Sequence, residues 1–415
     1  MMCHRLGPSA LLLLTLGVLA CSGRSEPTLQ AGPWRAWLDC PGGELPFELT
    51  IAREHGELSS SIRNGEEVVE VPKTYWDGRE LVLDFDHYDS QIRALVDETG
   101  SRLDGEWTRR LGPEKWSRLT FHAQAGTEPR FAAAGQTGVA TALPPRWDVH
   151  FEGRDIPAVA LLQAHGDGTV EGTFLLNAGD YRYLAGRLEG DRLRLSRFDG
   201  AQAFLFDARL GTGGTLQGDF WEADFHHDRW SARPDEGAKL PDPFGLLSWS
   251  GPVDLAALSL TDLTGRPRSL ADPEFRGRGL VIEILGTWCS NCQDASVFLT
   301  DLLERYGEQG LKVVGIAFEM TDDFERNAEQ VMLYRDRYGV DYPVLLPTGE
   351  ATGPSRVFPT IHGEFGFPSL LFLRPDGSVF RTHTGFTGPA TGDVHVQLRE
   401  QLESVVEQLL LDAPA

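Results

Sequence analysis

Two cysteines three residues apart, Cys289 and Cys292, are the residues whose type and spacing most directly indicate chemistry. Such a pair can close a small disulfide ring and cycle between dithiol and disulfide, the exposed thiolate attacking a partner's disulfide first. Half a zinc site is a competing interpretation, but zinc requires four ligands and the chain has no second pair. Haem attachment requires His at the position of Gln293. The spacing therefore favours redox chemistry and predicts no metal.

The sequence around the pair indicates the elements that position the two thiols. An apolar run, residues 280–285, precedes a turn that contains Trp288, and apolar residues then recur at helical spacing. These residues are Ala295, Phe298, Leu299, Leu302, Leu303 and Tyr306. Cys289 is therefore predicted at the N-terminus of a helix, where unpaired N–H groups and the macrodipole favour a thiolate.

An acidic residue, Glu283, interrupts the apolar run. A fully apolar strand is usually buried on both faces, which makes a solvated carboxylate there unfavourable. A desolvated carboxylate has a raised pKa and can carry a proton near neutrality. Glu283 is therefore a candidate proton relay.

At these residues the sequence resembles the thioredoxin superfamily, specifically the TlpA/ResA-like periplasmic thiol-disulfide oxidoreductases. The resemblance covers roughly residues 251–411 and implies an α/β thioredoxin-like domain over 251–412. It implies that Cys289 attacks, that Cys292 resolves, that Glu283 shuttles the proton of Cys292, and that Pro368 belongs to a cis-proline loop facing the disulfide. Four further residues are expected beside the redox pair: Trp288, Ser290, Asn291 and Phe367. Thioredoxin has Gly-Pro between its cysteines, so the direction of exchange stays open.

Two other segments resemble parts of this family. Glu319 follows a predicted strand, close to an active-site acid of ResA-like proteins, but its register differs by about one residue; a plain strand-end acid is the alternative. The segment 383–389, His-Thr-Gly-Phe-Thr-Gly-Pro, resembles a recurrent segment of a TlpA-like subgroup. Either a gating loop or a structural turn is consistent with it.

The N-terminal residues 1–21 have the pattern of a targeting segment, with Arg5 as the only formal charge and an apolar stretch too short to span a bilayer. The ending resembles a bacterial lipoprotein box, which implies that Cys21 is lipidated; ordinary signal cleavage is the alternative. By the same resemblance, Ser22 after that cysteine implies that the lipoprotein is sent to the outer membrane. Residues 22–33 are predicted to form a tether. The predicted location is the cell envelope, as a periplasm-facing lipoprotein.

Residues 34–233 are predicted to form an all-β region, because short runs of alternating apolar and polar residues recur between turn residues. Motifs recur about 110 residues apart and predict two meander copies, about 34–124 and 144–233. The matched residues are Trp37 with Trp147, Leu103-x-Gly105-x-Trp107 with Leu216-x-Gly218-x-Phe220, and Trp116 with Trp230. A closed barrel or a sandwich would protect the strand edges. Residues 234–250 are predicted to form a linker.

Composition limits the partners. The formal net charge of −23 argues against nucleic acid and against electrostatic docking on anionic lipid. Cys40 has no evident partner and is expected to be a buried small hydrophobe. Two acidic clusters, 84–89 and 222–228, lack the spacing of a calcium loop or a zinc helix and are interpreted as solvated turns and strand faces.

The sequence therefore predicts an exported, membrane-tethered thiol-disulfide oxidoreductase that acts on client proteins with thiols or disulfides. Its only cofactor would be the redox-active disulfide Cys289–Cys292, and a membrane redox donor or acceptor would serve it. Two alternatives remain. A peroxiredoxin-type thiol peroxidase would need a Pro-x-x-x-Thr-x-x-Cys loop, which the chain lacks. A non-catalytic binding or sensor lipoprotein would use the disulfide only structurally.

Overall fold

A computed structural model of the chain describes residues 27–131, 143–153, 156–348 and 353–412. The predicted signal segment and the lipidation site Cys21 lie outside these residues. Among the helices described, none has the length and apolar character that a membrane span requires.

The first half of the β region is one antiparallel sheet of nine strands in the order β4-β3-β2-β1-β9-β8-β7-β6-β5. Consecutive strands are neighbours except β4 and β5, which lie at the two ends of the order. Because β1 also pairs with β9, the sheet is a meander curled back on itself. The strands are β1 Gly32–Cys40, β2 Gly43–Glu54, β3 Glu57–Asn64, β4 Glu67–Glu70, β5 Lys73–Asp77, β6 Glu80–Phe85, β7 Ser90–Val96, β8 Arg102–Arg110 and β9 Trp116–Ala125.

The second half is another nine-stranded antiparallel sheet, in the order β11-β10-β18-β17-β16-β15-β14-β12-β13. Because β11 also pairs with β12, this sheet closes into a barrel and leaves its main strands without a free edge. The strands are β10 Arg146–Phe151, β11 Pro157–Ala164, β12 Thr169–Leu176, β13 Gly179–Asp180, β14 Leu184–Glu189, β15 Arg192–Phe198, β16 Ala203–Leu210, β17 Leu216–Glu222 and β18 His226–Pro234.

The two sheets share one strand order, but two of the predicted residue pairs are wrong. Phe121 faces Leu38 across β1 and β9, and Trp230 faces Phe151 across β10 and β18, so Phe121 is the counterpart of Trp230. Trp34 and Trp147 open the inward-facing series of their strands, and both are buried. Trp37 was predicted to match Trp147, and Trp116 to match Trp230, but both Trp37 and Trp116 are only partly buried. Both copies contain tryptophans on two faces, so residue identity alone did not determine the register.

The two copies are also interleaved. Phe198, at the end of β15, belongs to the core of the first sheet, where its ring lies 4.5 Å from that of Phe47. Asn64 holds the inserted backbone by donating from Nδ2 to the Phe198 carbonyl at 2.8 Å. The β15–β16 connection therefore fills the interior of the first copy, and the β region is one packed unit.

The outer limits of the β region differ slightly from the predicted ones. Strand β1 already begins at Gly32, inside the segment 22–33 that was predicted as a tether. A short strand, β19 (Leu247–Trp249), lies within the predicted linker and pairs with β25 (Ile361–Gly363). Cys40 is buried, as predicted, and its thiol donates to the Ala223 carbonyl at 3.2 Å.

The C-terminal region contains a seven-stranded mixed sheet in the order β21-β20-β24-β23-β22-β26-β27. Strand β22 is parallel to its neighbour β23 and antiparallel to its other neighbour β26, and every residue of β22 is buried. The strands are β20 Leu260–Thr261, β21 Pro267–Arg268, β22 Gly279–Leu285, β23 Leu311–Ala317, β24 Val344–Pro347, β26 Ser369–Leu373 and β27 Val379–Thr384.

Four helices accompany this sheet: α1 Ser290–Tyr306, α2 Phe324–Tyr338, α3 Pro354–Val357 and α4 Asp393–Asp412. The apolar stripe predicted for α1 is largely buried: Phe298, Leu299 and Leu302 lie in one core with β22, α2 and α4. Burying each such side chain contributes roughly 1.5–3 kcal/mol. This packing fixes the start of α1 at the end of β22.

Candidate active site

The Cys289–Cys292 segment lies where β22 ends and α1 begins. Cys289 is the N-cap residue of α1, and its sulfur accepts the Cys292 N–H at 3.3 Å, which satisfies one of the unpaired N–H groups of the first turn. The turn before it is tight, since a Cβ added to Gly286 would lie 2.3 Å from the Trp288 ring nitrogen. Trp288 is fixed by donating from that nitrogen to the Phe318 carbonyl at 2.9 Å.

The two thiols differ in environment. Cys289 retains 7% of its exposure, whereas Cys292 is fully buried. The Cys289 thiol lies 3.2 Å from the Phe367 carbonyl, and the Phe367–Pro368 peptide bond is cis. Burial, followed by the neighbouring Cys289, raises the pKa of Cys292 well above its usual range. Cys289 is therefore the thiol that a partner can reach, and Cys292 needs a proton acceptor before it can attack.

Glu283 is buried, as predicted, and lies in a network of hydroxyl groups. Its carboxylate accepts from the Ser296 hydroxyl at 2.9 and 3.0 Å and from the Tyr342 hydroxyl at 2.6 Å. Burial raises the pKa of Glu283 to about 7, against the lowering effect of the Tyr342 and Ser296 bonds. The charge of Glu283 also raises the pKa of Cys292. The Ser296 that donates to Glu283 lies one helical turn after Cys292 on α1. A carboxyl group with this pKa can take up and return a proton near neutrality.

Glu319 lies beside the same turn. Its carboxylate accepts from the Thr287 N–H at 3.0 Å and from the Thr287 hydroxyl at 2.7 Å. Burial raises the pKa of Glu319, and the two Thr287 bonds oppose that effect. A cavity of about 790 Å³ opens here between Glu319, Trp288 and Phe367. The structure therefore brings Glu319 to the redox turn, where it holds Thr287.

The β region also contacts the redox helix, which the sequence did not predict. Asn291 donates from Nδ2 to the Asp180 carbonyl at 3.1 Å. Arg182 donates to the Ser290 carbonyl at 3.2 Å and forms an ion pair with Asp294. Ser290 and Asn291, two of the predicted neighbours of the redox pair, therefore contact the β region.

Further contacts correct the interpretation of the first acidic cluster. His87 is 2% exposed, and its Nε2 lies 3.2 Å from the Tyr338 hydroxyl of α2. Asp89 accepts from Arg326 of α2 at 3.0 Å. The prediction of solvated turns is wrong for these two residues, because they lie between the two regions. Polar residues in a β turn look the same in sequence whether water or another domain covers them.

The segment 383–389 belongs to the same seam. The Gly388 N–H donates to Asp180 Oδ1 at 2.6 Å, and Phe386 forms a parallel bridge with Gly179. Gly385 has a φ of +84°, and an added Cβ would lie 2.2 Å from the Asn177 carbonyl oxygen. The sequence left open a gating loop or a structural turn, and these bonds favour the structural interpretation.

The described part of the chain contains no group of three or more His, Cys, Asp or Glu residues that could hold a metal ion.

The comparisons with known proteins each cover only part of the chain. No family model matches the chain. The thiol-disulfide oxidoreductase ResA of Bacillus thuringiensis (strain Al Hakam) is 25% identical over 153 residues, which is 36% of this chain and 73% of that protein. ResA of Geobacillus thermodenitrificans (strain NG80-2) is 28% identical over 126 residues, 30% of this chain and 64% of that protein.

One similar solved structure is that of a Chlorobium tepidum protein assigned as the thiol:disulfide interchange protein DsbE. It matches 39% of this chain and 99% of that chain at 18% identity, with a TM-score of 0.31. The resemblance that the sequence predicted is confirmed by the curated relatives. About a third of this chain is similar to the ResA thiol-disulfide oxidoreductases, consistent with a thioredoxin-like domain.

Proposed function

We propose that this chain is a protein thiol-disulfide oxidoreductase whose reacting groups are Cys289 and Cys292. One observation carries the proposal: Cys289 caps the redox helix and keeps some exposure, while Cys292 lies fully buried one helical turn before Ser296, which donates to Glu283. An accessible nucleophile backed by a buried resolving thiol and a carboxyl group that titrates near neutrality is the set that stepwise exchange requires.

In the reducing direction, the Cys289 thiolate attacks one sulfur of a client disulfide. The client S–S bond breaks, a mixed disulfide forms, and the first client thiolate leaves. Cys292 then gives its proton to Glu283 and attacks the Cys289 sulfur, which releases the second client thiolate. Two electrons pass from the cysteine pair to the client, and Cys289–Cys292 becomes a disulfide. The oxidising direction is the reverse of these steps.

The client would bind along the cavity beside Trp288, Phe367 and Glu319. Aromatic rings on one side and a carboxylate on the other suit an extended polypeptide, whose apolar side chains and backbone N–H groups both find partners there. Pro368 donates no hydrogen bond and ends the loop that faces Cys289, so the client backbone would lie against the Phe367 side of that loop.

The location and the remaining partners are part of the same proposal. The chain would act outside the cytoplasm, attached to a membrane through a lipid on Cys21, with a membrane redox protein as its electron donor or acceptor. The disulfide would be its only cofactor, and the β region would select or position the client.

Catalysed reduction of insulin by dithiothreitol, followed by turbidity, tests this proposal. We expect turnover by the wild type and none by Cys289→Ser. Cys40→Ser is the matched control, because Cys40 is a buried cysteine outside the site, and it should keep wild-type activity. Equal activity of the wild type and Cys289→Ser would contradict the proposal. Turnover of peroxide without turnover of insulin would favour the peroxidase alternative.

A further inference from the structure

A second cavity, of about 220 Å³, lies between the β region and the C-terminal region and shares no lining residue with the cavity beside Trp288. Its apolar walls come from both regions and from the segment that connects them. Val159 and Leu175 of the β barrel are buried, and Leu240 of the connecting segment and Val394 of α4 pack against them. Cavities with apolar walls at the interface of two domains are common binding sites for small molecules.

Four polar residues that line this cavity have buried side-chain atoms without a partner. None of these atoms makes a hydrogen bond of normal geometry with the described residues: His383 Nδ1 and Nε2, Thr384 Oγ1, Thr387 Oγ1 and Asn177 Oδ1. Buried polar atoms are nearly always paired, because an unpaired one has lost its hydrogen bonds to water. Their concentration around one cavity indicates that the cavity holds their partner.

The ring of His383 faces this cavity. The side chains of Thr382 and His383 leave opposite faces of β27 because they are consecutive in the strand. Thr382 donates to the Leu247 carbonyl at 3.3 Å, whereas the His383 ring lies 4.7 Å from the ring of Phe244. Phe244 packs in the same core as Leu398 of α4, and Leu398 lines the cavity. The imidazole, which is 1% exposed, therefore lies on the cavity side of the sheet.

The polar atoms of the site are uncharged. Burial lowers the pKa of His383 to about 4, against smaller raising effects of the Gly385 backbone and of the Asp242 charge, so the imidazole is neutral at pH 7. A neutral imidazole has one N–H donor and one acceptor nitrogen, a hydroxyl can do both, and an amide oxygen accepts. The site therefore fits a group that donates and accepts hydrogen bonds.

A charged occupant is disfavoured. Among the described residues that line the cavity, Arg146 alone carries a charge, and its Nε donates to the Ala238 carbonyl at 2.7 Å. An ion placed against the buried neutral atoms would lose its water without gaining an opposite charge there. The volume has room for about seven water molecules. Water would satisfy the polar atoms but leave the apolar walls hydrated, whereas an apolar body would cover those walls.

We propose that this cavity binds a small uncharged molecule that carries an amide or hydroxyl group on an apolar body. The polar group would bond to His383, and the apolar body would lie against Leu175, Leu240 and Val394. The bound molecule would contact the segment whose Gly385 N–H donates to the Pro368 carbonyl at 2.8 Å. The proposed ligand site therefore adjoins the loop that faces Cys289.

Titration of the full-length protein with benzamide and with benzyl alcohol tests the proposal. The methyl signals of Leu240 and Leu398, followed by NMR, report binding at this cavity and give the dissociation constant. We expect saturable binding of at least one of the two probes, with a dissociation constant of about 1 mM or lower, which ligands of this size can reach. Toluene lacks the polar group and benzoate carries a charge, so each should bind roughly tenfold more weakly.

His383→Phe keeps an aromatic ring and removes both ring nitrogens, so it should weaken binding of the better probe roughly tenfold while toluene still binds. His87→Phe is the matched control: His87 is another buried histidine between the two regions, but it does not line this cavity. It should bind the probe as the wild type does. A folded His383→Phe with the wild-type affinity for the probe would overturn the proposal.

Val394→Phe decides if His383→Phe does not fold. The new ring enters the cavity from α4 and should abolish binding of the probe, whereas Val396→Phe adds the same ring at an exposed position of α4 and should not. Binding that survives in Val394→Phe would overturn the proposal. So would the absence of saturable binding by both benzamide and benzyl alcohol, which would show a cavity that holds water only. Tighter binding of benzoate than of benzamide would overturn the uncharged class.

Discussion

Replacement of Glu283 by Gln should stabilise the reduced protein at alkaline pH. Burial raises the pKa of this carboxyl group from 4.5 to about 7, so the folded state holds the proton more tightly than the unfolded chain does. Stability therefore falls as the pH rises from 4.5 to about 7 and is then constant. Each pH unit in that window costs about 1.4 kcal/mol, which makes the ionised carboxylate cost roughly 3 kcal/mol at pH 8.

Pulsed labelling of Cys292 in urea measures this difference. Cys292 is fully buried in the folded state, so a thiosulfonate pulse modifies it only after the C-terminal core has opened. For the dithiol form, the urea midpoint of the wild type should be roughly 1–2 M lower at pH 8 than at pH 5. Glu283→Gln should have nearly the same midpoint at both pH values, because the amide has no proton to lose.

Glu304→Gln provides the control for this prediction, since it removes an exposed carboxylate from α1, outside the buried network of Glu283. It should keep the pH dependence of the wild type. Equal losses of stability in the wild type and Glu283→Gln between pH 5 and pH 8 would refute the reasoning. They would show that another group titrates in this window.

Three further predictions concern the site and its contact with the β region. Cys292→Ser should accumulate a mixed disulfide with its client, visible as an adduct on non-reducing gels, whereas release of the client would exclude the resolving role. Arg182→Met should destabilise the chain by roughly 3 kcal/mol in thermal or urea unfolding, because it leaves the mostly buried Asp294 carboxylate without its ion pair and Glu67 with Arg197 alone. The exposed pair of Arg209 provides the comparison, and Arg209→Met should cost less than about 1 kcal/mol. Tyr342→Phe removes a 2.6 Å hydrogen bond to the Glu283 carboxylate, so it should move the stability transition of Glu283 to higher pH; an unchanged transition would contradict that assignment.

Local sequence patterns predicted the elements of the C-terminal region well. The apolar run became the buried strand β22, and helical spacing identified the face of α1 that packs in the core. The burial of Glu283 followed from one rule, that an acid inside a strand covered on both faces cannot stay solvated. Each of these features is determined by residues nearby in sequence or by the burial of one strand or one helix face.

Contacts between the β region and the redox helix could not be predicted in this way. Asp180 and Arg182 are far from Cys289 in sequence, and nothing in their local pattern distinguishes them from solvated strand residues. The register of the two copies failed for a related reason, since Trp37 and Trp34 differ only in which face of β1 they occupy. Such assignments depend on which surfaces meet, and that information is not local.

A redox titration of the full-length chain tests the central claim most directly. The protein is equilibrated in thiol buffers of defined potential, and the mass of its alkylated Cys289–Cys292 peptide reports the dithiol fraction. We predict one two-electron transition between the potentials of thioredoxin, about −270 mV, and of a strong oxidant, about −120 mV. Two cysteines that remain dithiol throughout this range, with no transition, would contradict the assignment of this pair as the redox centre.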